Sequence, residues 1–124
     1  MIFQYTLDLL LSGRKTQTCR IAKPNETAVH ASSGAIIAVT VNEHDKYRVG
    51  KTYAVQPARA KPAVARIGLT GIDRKQIRDI TLAEAQAEGY STREEFFEIW
   101  RTIHGDTHLD ADVWVLRFEL IHTL

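Results

Sequence analysis

The chain has 124 residues, 44% hydrophobic and 25% charged, and its 16 lysines and arginines against 15 acids leave a net charge of +1. This is the composition of one globular domain, residues 1–124, and so small a charge excludes bulk attraction to nucleic acid: affinity for phosphate must come from local clustering. The single Cys19 excludes an internal disulfide, and no apolar run approaches the roughly 20 residues that span a bilayer.

A lone cysteine fits a reducing compartment. Leu9-Leu10-Leu11 follows Asp8 and lacks a basic flank, so it does not read as a signal peptide. The expectation is a cytoplasmic protein with no membrane partner, a monomer or weak homodimer.

In chain order, Thr6 can cap a short helix through Leu7, Leu10 and Leu11, with Gly13 left-handed just past its end. Lys15 to Ile21, with β-branched Thr16, Thr18 and Ile21, suggests a strand. An ideal strand would point Lys15 and Thr18 to opposite faces, so they converge only if the chain bends near Lys15. Lys23 to Gly34 is polar and reads as a loop, Ala35 to Val41 as a strand, and Asn42 to Lys46 and Val49 to Lys51 as turns. Thr52 to Gln56 and Ala63 to Leu69 read as short strands joined by the Pro-rich and basic PARAKP. Several short strands ahead of any long helix predict a small barrel.

Thr81-x-x-Glu84 and Ser91-x-x-Glu94 are two candidate capping boxes. The first helix is expected to end at Glu88-Gly89. In the second, Phe96, Phe97, Trp100 and Ile103 form one apolar stripe, read as core packing rather than a base-stacking platform, and Gly105 ends it. The closing strand, Asp112 to Ile121, places Trp114, Leu116, Phe118 and Leu120 inward and Arg117 and Glu119 outward.

The chemistry concentrates in LSGRKTQTCR, Leu11 to Arg20, which no acidic residue interrupts. Thr18 is a candidate nucleophile and Lys15 a candidate base. A threonine hydroxyl needs a neighbour to take its proton, and a lysine does so only when neutral. Arg14 and Arg20 can supply the positive charge that lowers its pKa. K-x-x-T is nevertheless a very common pattern, and by spacing alone it more often describes a strand residue and a solvated cation. Glu88 would stand in the last turn of its helix, where the helix dipole opposes ionisation and suits it to donate a proton; a solvated helix terminus is the plainer alternative. None of the three is expected to fill the core. Arg14, Lys15, Arg20 and Lys23 form a local basic patch, which Arg59 and Lys61 join if the fold brings them near. Cys19 reads as a small buried hydrophobe. HGDTHLDAD carries metal-ligand residue types (His104, Asp106, His108, Asp110, Asp112) but reads as an exposed polar loop, with no metal or other cofactor expected.

LSGRKTQTCR also resembles the G-x-K-x-x-[E/T]-x-R signature of the ASCH (activating signal cointegrator homology) family, relatives of the PUA RNA-binding domain. VGKTYAVQ, AEGYSTREEFFEIW and VWVLRFELI resemble further family features in the right order. The resemblance implies an α+β fold, a PUA-like β-barrel flanked by helices, with a cleft lined by the motif. It implies RNA binding, ribonuclease activity or, in a small bacterial subgroup, hydrolysis of N4-acetylcytidine to cytidine and acetate by Lys, Thr and Glu. Lys15 and Thr18 match the first two and Glu88 matches the third best. Gly13, Arg14, Arg20 and Arg59 would then bind substrate. Thr18 stands where many relatives carry Glu, which favours the hydrolase. The longer loop before Ala35 and the PARAKP insertion depart from the compact hydrolases. The expected partner is a modified nucleoside, with RNA as the alternative.

Overall fold

Four consecutive residues of the last strand, Val113 to Leu116, are fully buried. Successive side chains on a strand point to opposite faces, so both faces of the sheet must be covered there. In the computed structural model, which describes residues 1–105 and 109–124, that cover is built as follows. A short helix α1 (Leu7–Leu11) precedes strands β1 (Gln17–Ile21), β2 (Thr27–His30), β3 (Ile36–Val41), β4 (His44–Arg48), β5 (Thr52–Val55) and β6 (Ala65–Gln76). A 3-10 turn (Ile77–Asp79), helices α2 (Leu82–Ala87) and α3 (Arg93–His104), and strand β7 (Asp112–Thr123) complete the chain.

The seven strands form one antiparallel sheet in the order β1-β7-β6-β3-β2, with β4 also on β3 and β5 also on β6. β1 and β2 end the path without pairing to each other, so the sheet is barrel-like but not closed. The fold is α+β, as expected. Val113 and Val115 pack beneath the helices with Ile77, Ile80, Ala85, Phe96 and Trp100. Trp114 and Leu116 face the inside of the curl with Val39, Tyr47, Leu69 and Ile72. Phe118 joins Phe3, Leu10, Val55 and Ile67 in a third cluster, against which the half-buried Leu120 packs. The inward set predicted for the closing strand is borne out, and the two valines add a second buried face.

Several local expectations need correction. Lys23 to Gly34 is not all loop: β2 pairs with β3, and Glu26 is buried at its start. Glu26 accepts hydrogen bonds from Trp114 Nε1 and the Lys23 backbone N–H, both at 2.8 Å, and pairs with the Lys46 ammonium. That satisfaction makes burial of a carboxylate tolerable. The turn after β3 is only Asn42-Glu43, with φ of 51° and 67°, the doubly left-handed backbone of tight hairpins. β6 runs past Leu69 to Gln76, carried by a register shift between Leu69 and Gly71. A Cβ at Gly71 would meet the Arg117 guanidinium at 2.7 Å, so glycine lets that side chain cross to Asp73.

The box at Thr81 and Glu84 is present in both directions. The second is shifted by one residue: Thr92 caps α3 through Glu95 N at 3.1 Å, and Glu95 accepts from Ser91 N. Thr6 precedes α1 without a side-chain cap bond. Gly89 ends α2 at φ 104°, and a Cβ there would lie 2.7 Å from Leu9 Cδ1. Gly89→Ala should therefore destabilise the protein by at least about 1–2 kcal/mol, the cost of a left-handed non-glycine residue, readable in urea or thermal melts.

Candidate functional site

Gly13, at φ 80°, turns the chain after α1. Lys15 N then donates to Leu9 O at 3.0 Å and Thr16 N to Ala87 O at 2.8 Å, so regular β1 geometry begins only at Gln17. Lys15 therefore sits on a bend and escapes the alternation that would have parted it from Thr18. Both side chains line one cavity of about 430 Å³, within the roughly 300–1,000 Å³ range of small-molecule sites. Both are buried, at 5% and 6% exposure, so Lys15 is not a solvated cation, yet neither belongs to a hydrophobic cluster.

Glu88 is no solvated terminus either. It is 3% exposed and is the C-cap of α2, where Gly89 turns the chain away. Its Oε2 lies 3.5 Å from Lys15 Nζ, and its Oε1 accepts from Cys19 N at 3.1 Å. Lys15 Nζ also reaches the Glu88 carbonyl oxygen at 3.4 Å. Burial pushes the Glu88 carboxyl above the ordinary carboxylate range, with Lys15 and the Cys19 N–H pulling partly back. Burial likewise lowers the Lys15 ammonium, opposed by Glu88 and assisted by Arg20. Burial thus acts on both partners against their charged forms, while each partner's charge favours the other's.

Arg20 lies on the same wall. It donates to Ile2 O at 2.8 Å and stands 5.0 Å from the Phe3 ring centroid. Tyr47, Tyr90, Phe96 and Trp100 add aromatic surface, and Lys23 and Lys46 bring further cations. The α3 stripe is thus core on one side and cavity wall on the other. His104 stacks on Trp100 at 3.9 Å between ring centroids.

The cavity therefore brings together Lys15, Thr18, Glu88 and Arg20 from the sequence reading. Gly13, Arg14 and Arg59 are exposed and do not line it; Gly13 acts through the bend. Cys19 is buried as expected, on the cavity wall and in the helix-side cluster. Phe3, Tyr47, Lys46 and Tyr90 escaped the sequence reading because they arrive from distant elements. Trp100 and Phe96 carried a signal, the helical stripe, but periodicity does not separate a core face from a cavity face. In the HGDTHLDAD segment, Asp106 and His108 lie outside the described residues, while Asp110 pairs with Arg78 and Asp112 with Arg74.

No protein-family model and no curated protein sequence matches the chain. Solved structures do. An ASCH domain from Lactobacillus crispatus JV V101 aligns with a TM-score of 0.66 at 18% identity, over 93% of this chain and 69% of that one. A protein from Enterococcus faecalis V583, described under the family model DUF984, aligns with a TM-score of 0.61 at 19% identity, over 94% and 70%. The chain has the fold of an ASCH domain. No helix among the described residues is long and apolar enough to cross a membrane.

Removing Lys15 alone would leave Glu88 buried without its cation, a change that typically costs about 3–5 kcal/mol. Because the folded state already raises the Glu88 pKa, it binds that proton more tightly than the unfolded chain does. Falling pH therefore favours folding through this group, and rising pH through its folded pKa penalises it. Lys15→Met should be clearly destabilised in neutral melts, with a smaller loss in acid. Lys15→Met combined with Glu88→Gln should recover part of the neutral loss.

Proposed function

We propose that this protein is an amide hydrolase that removes the acyl group from N4-acylated cytidine, as in N4-acetylcytidine. The observation that supports the reading most is the buried Lys15–Glu88 pair on the wall of a cavity that Thr18 also lines. The motif carrying Lys15 and Thr18 resembles that of the acetylcytidine hydrolases, and the cavity is of nucleoside scale.

In this reading Thr18 Oγ1 attacks the acyl carbonyl carbon while its proton passes to neutral Lys15 Nζ. The C–N4 bond breaks, N4 takes the proton of the Glu88 carboxylic acid, and cytidine leaves Thr18 acylated. Glu88, now a carboxylate, takes a proton from water as the water oxygen attacks the ester. The Lys15 ammonium returns its proton to the departing Thr18 oxygen. Acid is released, and both groups regain their starting protonation states. Arg20 anchors the substrate beside them.

Lys23, Lys46 and Arg20 on the cavity wall favour a second reading, an RNA-binding module using the same cleft. The two separate cleanly. Loss of N4-acetylcytidine absorbance on incubation with the purified protein, with little salt dependence, is the outcome expected of the hydrolase. A binding module would show no turnover, and its RNA affinity would fall steeply with salt, with a slope near about −0.7 per phosphate contact on single strands.

Among variants, Thr18→Ser should retain some activity. Thr18→Ala and Lys15→Arg should each lose roughly a hundredfold or more, the usual scale for an acid–base group; arginine stays protonated and cannot accept the threonine proton. Glu88→Gln should lose most on substrates with the poorest leaving groups. Single-turnover rates on N4-acylcytidines of graded leaving-group basicity test this, and equal losses across the series would remove Glu88 as the proton donor.

A further inference from the structure

The cavity wall grades from buried to exposed. Lys15, Thr18 and Glu88 are buried, whereas Lys23 is exposed and Lys46 keeps 35% of its side-chain surface. Among the described lining residues Glu88 is the one carboxyl, set against Lys15, Arg20, Lys23 and Lys46. Lys15 balances Glu88, and Glu26 stands behind Lys46 with only 1% of its side chain exposed. Arg20 and Lys23 have no ion pair among the described residues. The wall thus carries an excess of two positive charges in a chain whose whole net charge is +1. A concave, low-dielectric wall focuses such a charge on an incoming anion.

One buried carboxylate assembles the cationic part of that wall. Glu26 Oε1 accepts from the Lys23 backbone N–H at 2.8 Å, and its Oε2 pairs with Lys46 Nζ. The two oxygens of a single carboxyl group therefore bring the loop after β1 and strand β4 to one place, and make Lys23 and Lys46 neighbours at the cavity. Trp114 Nε1 also donates to Oε1, at 2.8 Å, which ties the carboxylate to the inside of the curl. A lysine ammonium has three donors, so the bond to Glu26 leaves Lys46 with others to offer. Its Nζ stands 5.5 Å from the centroid of the Tyr47 ring, itself part of the wall.

Resting on the acylcytidine reading, we propose that the ligand is a nucleotide rather than a nucleoside, its 5′-phosphate bound by Lys23 and Lys46 while the acylated N4 lies at Thr18. N4 is attached to C4 of the pyrimidine, across the ring from N1, which carries the ribose. A base seated with its amide at the buried Thr18 therefore directs its ribose toward the exposed part of the wall, with the 5′ oxygen leading. A phosphate monoester carries about −1.5 to −2 charges at neutral pH, which matches the excess on the wall in sign and size. Ammonium–phosphate hydrogen bonds are charge-assisted, and lysine binds phosphate as a point charge that needs no fixed fork geometry. Glu26 is then a positioning residue: it does not line the cavity, and it sets where the two cations stand.

The test is titration calorimetry with cytidine, its 5′-monophosphate, its 3′-monophosphate, inorganic phosphate and a short cytidine oligonucleotide. The 5′-monophosphate should bind at least about tenfold more tightly than cytidine, the scale of hydrogen bonds to a charged group, and more tightly than the 3′-monophosphate or inorganic phosphate. Lys23→Gln and Lys46→Gln should each cut the ratio of 5′-monophosphate to cytidine affinity several-fold. Lys23 meets Glu26 only through its backbone, so Lys23→Gln carries the test should Lys46→Gln fail to fold in thermal melts. Equal affinity for cytidine and its 5′-monophosphate, an equal gain from the 3′-phosphate, or a ratio unchanged in the folded variants overturns the proposal. So does inorganic phosphate binding as tightly as the 5′-monophosphate. An oligonucleotide that binds a further tenfold or so more tightly, with the steep salt dependence of several phosphate contacts, replaces the mononucleotide site with a polynucleotide groove. Hydrolysis of N4-acetylcytidine and its 5′-monophosphate is followed in parallel. Turnover of both with equal kcat/KM keeps the hydrolase and removes this inference, whereas tighter binding of the 5′-monophosphate without turnover of either keeps the nucleotide site and removes the hydrolase.

Discussion

The contact between Lys15 and Glu88 is the constraint around which the site is arranged. An ionisable group taken out of water must find compensation, and these two find it largely in each other. Lys15 comes from the bend between α1 and β1, and Glu88 from the far end of α2, so the pair joins the start of the sheet to the helical layer. Backbone and side-chain bonds reinforce the joint: Thr16 N to Ala87 O at 2.8 Å and Gln17 Nε2 to Glu84 O at 3.4 Å. The helix end also sets its negative dipole beside the Glu88 carboxyl. Burial and dipole act in the same direction, against the carboxylate.

The helical layer serves two purposes with one set of residues. Phe96 and Trp100 close the core against Val113 and Val115, and the same two rings border the cavity. A change in α3 that loosens packing also moves the cavity wall, so stability and ligand affinity at this face are coupled rather than separately adjustable. The region around β4 is different: Lys46 and Tyr47 reach the cavity from a strand paired with β3, with Tyr47 packed in the inner cluster and Lys46 held by Glu26.

What the sequence made legible followed local rules. The alternation of Trp114, Leu116 and Phe118 was readable because one-sided burial writes itself at period two. Thr81 and Glu84 were readable because a capping box is contained in four residues. β2 was missed because its neighbourhood is polar and Glu26, which anchors it, is satisfied by Trp114, far away in the chain. β6 was cut short because Gly71 and its polar neighbours imitate a turn. Lys15, Thr18 and Glu88 could be named from motif and helix position, but not their burial, which needs residues from α3, β4 and the N-terminal segment. Arg59 looked plausible as a basic neighbour, and only the path of its loop shows that it lies elsewhere.

Glu26 and Glu88 are two buried carboxyls only 6% and 3% exposed, yet they respond to acid in opposite senses. Burial alone would raise the Glu26 pKa, but the Lys23 N–H, the Lys46 ammonium and the Trp114 indole N–H together hold it below the ordinary value. Folding therefore expels a proton at Glu26 and retains one at Glu88. As pH falls through the folded pKa of Glu26, its hold on the β2 hairpin weakens, while the strain of ionising Glu88 is relieved. The proton uptake of the two groups partly cancels, so a global melting curve would understate both. Site-resolved titration would see acid loosen the hairpin carrying Lys46 while leaving the helix-side joint intact.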